Sequence, residues 1–167
     1  VASKSGDDFH ESFRFVLPGY NVRPVEMSGA IGVEQLKKLP NFIDHRRKNA
    51  TILFEIFDDL PFIQLQKEIG CSSWFGFSLV LKEGSPISRD ELIALFKEKN
   101  IECRPIVTGN FLKNTDVLEY FDYEVAGTVE NAEYIDLHGL FVGNQHIDLS
   151  AEIHYLHDSI MGLLGQG

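Results

Sequence analysis

The stretch Phe75-Gly76-Phe77-Ser78-Leu79-Val80-Leu81 sets a large apolar side chain at every second position, the spacing that an extended strand turns onto one face. Phe62 to Gln66, after Pro61, alternates in the same way, so two strands sit close together in the chain. Beyond them, Ser88 followed three residues later by Glu91 forms a capping box, because hydroxyl and carboxylate can each satisfy a free amide at a helix start. Leu92, Leu95 and Phe96 supply that helix with an apolar stripe ending near Asn100. Ile101 to Ile106 reads as a short strand whose far end, at Pro105, is an edge or already leaves the sheet. Thr128 is placed to cap a further helix running to Gly139, Leu140 to Val142 make a brief strand, and Ile153, Leu156, Ile160 and Leu163 line a last helix from about Ser150.

Upstream the period is helical. Met27, Ala30, Ile31 and Leu36 recur at helical spacing, and Pro40 interrupts and can open a second helix. In that second helix Ile43, Ala50, Leu53, Phe54 and Phe57 form one stripe, while Asp44, Arg46, Lys48 and Asn49 fall largely on other sides. His45 to Lys48 reads as a solvated basic face. The expected fold is α/β (α+β): two helices, then a small sheet with helices packed on one face. Residues 1–60 form the lead-in, a turn and the two helices, and residues 61–167 the small α/β domain.

Composition narrows the function classes. The chain has 167 residues, 44% hydrophobic and 24% charged, enough for one ordinary core. A net charge of −10 argues against nucleic acid as a partner. Apolar runs such as Phe75 to Leu81 fall far short of the ~20 residues that span a bilayer, and no basic-then-apolar signal opens the chain, so a soluble, cytoplasmic protein without a membrane partner is expected. Cys71 and Cys103 are too few for a disulfide scaffold or a four-cysteine metal site. The polar lead-in from Val1 suggests a piece of something longer.

Motifs of self-contained catalysis are missing. There is no Gly-x-Ser-x-Gly and no glycine-rich phosphate loop, and His154, His157 and Asp158 offer at most two well-placed metal ligands. Two segments carry more polar detail than packing requires. Gly19-Tyr20-Asn21-Val22-Arg23-Pro24 places an amide and a guanidinium two residues apart before a helix, which suits phosphate oxygens but also a capping amide and a surface arginine. Arg104-Pro105-Ile106-Val107-Thr108-Gly109-Asn110 repeats the theme at a strand end, where a plain strand exit is the alternative. Trp74, beside Ser72 and Ser73, is either core or site wall.

The run from Gly19 through Asn21, Arg23, Met27 and Gly29 to Gly32, followed by Gln35-Leu36 and Leu39-Pro40, resembles the signature of the DegT/DnrJ/EryC1/StrS sugar aminotransferase family. Ser72 to Phe77, Ile101 to Asn110 and Phe141 to His146 are similar to its 3-dehydratase branch. The resemblance implies the C-terminal small domain of a fold type I enzyme, with a mainly antiparallel sheet, joined through residues 1–60 to a large domain that holds the cofactor's covalent anchor. No catalytic base is carried onto this chain, which alone is expected to be inactive, and no metal is implied.

It implies pyridoxal or pyridoxamine 5′-phosphate as cofactor of the whole enzyme, with none bound by this chain alone. A nucleotide sugar of deoxysugar biosynthesis and glutamate are the implied substrates. A homodimer is implied in which Asn21 reaches the cofactor phosphate of the neighbouring subunit. Arg23 would lie near the nucleotide-sugar phosphates, and Trp74, Arg104 and Asn110 would belong to the substrate wall. The absence of cysteine in Phe13 to Pro18 favours the branch without an iron–sulfur cluster. A sugar 4-aminotransferase, or an autonomous noncatalytic module that binds a nucleotide sugar or a protein, are the rival readings.

Overall fold

The computed structural model describes residues 6, 8–11, 14–20 and 22–165. After a short helix α1 (Asp8–Glu11) comes α2 (Glu26–Ile56), one helix of 31 residues that closes in a 3-10 turn at Phe57–Asp59. Four strands follow, β1 (Ile63–Leu65), β2 (Gly76–Leu81), β3 (Cys103–Arg104) and β4 (Gly139–Gly143). Between and after them run α3 (Arg89–Glu98), α4 (Thr115–Leu118), α5 (Glu130–His138) and α6 (Ser150–Leu164).

The sheet is antiparallel throughout, in the order β1-β2-β4-β3. Leu79 pairs with Leu140 and Phe77 with Val142, so the alternation becomes one apolar face over 77–81. Phe75, expected on that face, precedes β2 and is exposed, and Trp74, expected opposite, is buried, because the positive φ of Trp74 breaks the alternation there. Against that face pack Leu53 of α2, Leu92 and Phe96 of α3, and Ile153, Leu156 and Ile160 of α6, all in one core. The opposite face carries Gly76, Ser78, Phe141 and Arg104, placed there by the pairs Ser78–Phe141 and Arg104–Phe141. Gly76 is needed at its position, since a Cβ there would run into the Phe141 ring.

The capping box is formed as read: Ser88 Oγ accepts from Glu91 N at 3.2 Å, and Glu91 Oε2 accepts from Ser88 N at 2.7 Å. Three local expectations change. Pro40 does not divide two helices but lies inside α2. Lys37, Lys38 and Leu39 before it favour helix, and Leu36, whose carbonyl Pro40 cannot bond, is exposed to water. Thr128 does not cap α5, whose N-cap is Val129 without a side-chain bond. Asn49, expected off the apolar stripe, is buried because a polar partner meets it inside.

Candidate functional site

On the open face of the sheet, two aromatic rings and two guanidinium groups converge. Phe75 and Phe141 stack with centroids 6.0 Å apart. The Arg104 guanidinium lies 4.6 Å from the Phe141 centroid and 5.6 Å from that of Phe75, and Arg46, from α2, lies 5.6 Å from Phe75. A guanidinium can stack on a ring through its face while its in-plane N–H groups bond oxyanions, so the cluster combines the donors that suit carboxylate or phosphate with an apolar face. These four side chains border a cleft of about 540 Å³ that also reaches Glu102, Cys103 and Asn144. Burial pushes the Cys103 thiol up, with the Glu102 charge adding to it, so this sulfur is held protonated and is not an activated nucleophile.

A buried amide pair fixes the backbone behind the cluster. Asn144 Nδ2 donates to Trp74 O at 2.8 Å and to Arg46 O at 3.0 Å, and its Oδ1 accepts from Asn49 Nδ2 at 3.0 Å. Asn49 also donates to Ile147 O at 2.8 Å and accepts from Leu149 N at 3.2 Å. The pair ties α2 to the exit of β4 and to Trp74, whose φ of 51° is in the left-handed region. Trp74 turns its ring into the core, 5% exposed, with Phe54 at 5.0 Å, whereas its neighbour Phe75 is 66% exposed. Phe75, Phe141 and Asn144 were within quoted motifs, but neither spacing nor residue type singled them out.

The loop after β3 is held from below. Gly109 (φ 67°) approaches Asp136 so closely that a Cβ would collide with its carboxylate. Asp136 Oδ1 accepts from Asn110 N at 3.1 Å, and Oδ2 pairs with Lys113 at 2.6 Å. Asn110 is buried, its Oδ1 capping the following 3-10 turn at Leu112 N, 3.1 Å away. Val107 has φ 56°, a strained value for a β-branched residue, and is exposed at the loop tip.

The structure therefore brings Arg104 together with Arg46, sets Asn110 and Trp74 into packing and capping positions, and leaves Arg23 exposed just before α2. Asn21 lies outside the described residues. Among the described residues no three His, Cys, Asp or Glu side chains come together as a metal site. His157 instead bonds Asp59 at 2.9 Å and Asp158 at 3.2 Å.

The four-stranded antiparallel sheet with its helices matches the C-terminal part of an aminotransferase-fold enzyme. The DegT/DnrJ/EryC1/StrS aminotransferase family profile matches residues 2–141, and the chain belongs to this family. It is 68% identical over 153 residues to GDP-4-keto-6-deoxy-D-mannose 3-dehydratase of Yersinia pseudotuberculosis, which covers 92% of this chain and 39% of that protein. The solved Escherichia coli GDP-4-keto-6-deoxy-D-mannose-3-dehydratase with bound hydrated PLP is 62% identical, with a TM-score of 0.80 over 93% of this chain and 40% of that one. A variant of GDP-4-keto-6-deoxymannose-3-dehydratase solved with bound GDP-perosamine gives the same identity, coverage and TM-score: 62%, 93% and 40%, and 0.80. The chain spans about 40% of the length of the relatives it matches.

Proposed function

We propose that this chain is the C-terminal part of a pyridoxal-phosphate-dependent nucleotide-sugar 3-dehydratase acting on GDP-4-keto-6-deoxymannose, with glutamate as amino donor. The observation that carries the reading is the 68% identity over 92% of the chain. In this reading the domain at 61–167, with the carboxyl half of α2 anchored in its core, forms one wall of the site, and residues 1–60 connect it to the rest of the enzyme.

The donors present suit the phosphate of the cofactor and little else of it. Arg23 is exposed, and Val25, the N-cap of α2, gives the first amides of the helix no side-chain acceptor. Asn21 and these groups would meet the cofactor phosphate of the neighbouring subunit of a homodimer, with Arg23 near the nucleotide-sugar phosphates. Bound pyridoxamine phosphate supplies the electron sink that lets the hydroxyl at carbon 3 leave. The part played by this chain is binding and orientation: Arg104, stacked on Phe141 and Phe75, presents donors to the anionic ligand, and the buried Asn144 holds the backbone beneath Phe75. No base is assigned to it, so proton transfer belongs to the remainder of the enzyme. Among the described residues no helix is long and apolar enough to cross a membrane.

The test is an assay of the enzyme that contains this chain, supplied with pyridoxal phosphate, glutamate and the GDP-4-keto sugar. Mass spectrometry should show loss of the carbon-3 oxygen, and Arg104→Ala should raise KM for the nucleotide sugar by about tenfold or more. Formation of the 4-amino sugar instead would establish the aminotransferase reading. Turnover by this chain alone would overturn the assignment of a wall without a base.

A further inference from the structure

Residues 14–20 form a strap leading towards α2, and the strap is docked through its first two residues. Arg14 pairs with Asp116 and, at 3.3 Å, with Glu11. The Phe15 ring meets Phe111 edge to face, with centroids 5.8 Å apart. The Phe15 N–H donates to Asn114 Oδ1 at 3.3 Å. Apart from Glu11, these partners belong to the segment 111–116, which follows the loop that starts at Arg104.

Asn114 uses the other end of the same amide differently. Its Nδ2 donates to Thr108 Oγ1 at 3.1 Å, next to the strained Val107, and to Phe111 O at 3.3 Å. Although Asn114 precedes α4, its side chain does not cap that helix. Local helix geometry therefore does not account for the direction of the amide. One side chain that accepts from the Phe15 N–H and donates to the Phe111 carbonyl must be both acceptor and donor, which a carboxylate and an alkyl group are not, and its second amide hydrogen reaches the Thr108 hydroxyl. The loop has an energetic reason to need holding, because a β-branched residue at positive φ persists only where its surroundings impose it.

We propose that Asn114 is a positioning residue whose side-chain amide locks the strap at 14–20 to the loop that follows Arg104, so that the chain entering α2 past Arg23 and the arginine–aromatic wall keep a fixed relation. What Arg23 and the wall bind rests on the function proposed above; the lock itself does not.

Two measurements separate these. In amide hydrogen exchange on the full chain, Asn114→Ala should speed exchange at Phe15 by about tenfold while Leu79 and Leu140 in the sheet stay unchanged. Asn114→Asp keeps the acceptor for Phe15, can still accept from the Thr108 hydroxyl and loses only the donor to Phe111 O, so it should retain protection at Phe15 and loosen the segment around Phe111. Thr108→Val, a milder change that carries the test should Asn114→Ala fail to fold, should likewise loosen the loop. Unchanged exchange at Phe15 in Asn114→Ala, or equal acceleration in the sheet, overturns the lock. In the cofactor-loaded enzyme, Asn114→Ala should raise KM for the GDP sugar about tenfold with kcat within about twofold, and Thr108→Val and Asn114→Asp, which both keep the bond to Phe15, should fall between it and wild type. An unchanged KM in an active enzyme overturns the positioning role. A wild-type enzyme inactive on the sugar, with the exchange pattern as described, refutes the functional reading and leaves the lock standing.

Discussion

Within the single helix α2, residues 26–41 are exposed without exception, including Met27, Ile31, Leu36 and Leu39, whereas further along Asn49, Ala50 and Leu53 are buried beneath the sheet. Both halves carry apolar residues at helical spacing. The difference is that the carboxyl half packs into one core with α6 and the sheet, while no residue of 26–41 is buried. An amphipathic pattern thus reports that a face is meant to be covered, not what covers it. Under the function proposed above, the cover for the amino half is the rest of the enzyme and its dimer mate. The wall cluster hangs on the anchored half, through Arg46 and the Asn49–Asn144 pair.

The contrast can be broken by substitution. Leu53→Ala, at 0% exposure, should destabilise the chain by about 2–5 kcal/mol in a urea titration, through lost burial and a residual cavity. A cost below ~1 kcal/mol would show that the carboxyl half is not held as described. Asn144→Ala should cost about 1–3 kcal/mol, because Asn49 and two backbone carbonyls lose their partner in a dry setting. The same variant should change the near-ultraviolet signal of Trp74, whose carbonyl it frees.

A smaller effect guards the end of the anchored half. Burial pushes the His157 imidazole down, but its hydrogen bonds to Asp59, just past α2, and to Asp158, with the charges of both, outweigh burial and hold it above its usual value. A folded-state value raised in this way adds stability that is complete below the unfolded value of about 6.5 and is lost as pH rises through the folded one. Wild type should therefore be more stable than His157→Gln in urea titrations at about pH 5.5, by under ~1 kcal/mol since both carboxylates are largely in water, and the two should converge at alkaline pH. A gap that widens on the alkaline side would contradict the pairing.

Least of all, Ile31→Ser, at a site 62% exposed, should alter the stability of this chain by no more than about 0.5 kcal/mol. Its effect should appear instead as reduced self-association in light scattering. A cost equal to that of Leu53→Ala would mean that the amino half is packed after all.

Much of the fold was legible. The alternation at 77–81, the Ser88–Glu91 box and the stripe of the last helix appear where the residues put them, because each depends on near neighbours alone, while Phe75 does not join the apolar face. Pro40 misled, since a missing amide and a clash with one carbonyl are local penalties that good helix formers and solvent can absorb. The candidate site was legible in outline only. Arg104 could be picked out as a charged residue at a strand end, but Arg46 looked like one more member of a solvated basic run, and nothing in the spacing of Asn49 and Asn144, with 94 residues between them, pairs them.

What the sequence by itself determined is the order of helices and strands, the polarity of their faces and the family to which the chain belongs. These follow from periodicity, from caps and from motifs contiguous in the chain. Tertiary structure alone decided that Arg46 and Arg104 share one aromatic ring, that Trp74 turns inward while Phe75 turns out, and that two distant asparagines close a buried bond. Strand register and helix docking bring such groups together across long loops, and their free energy depends on desolvation and partner geometry, which no local pattern encodes.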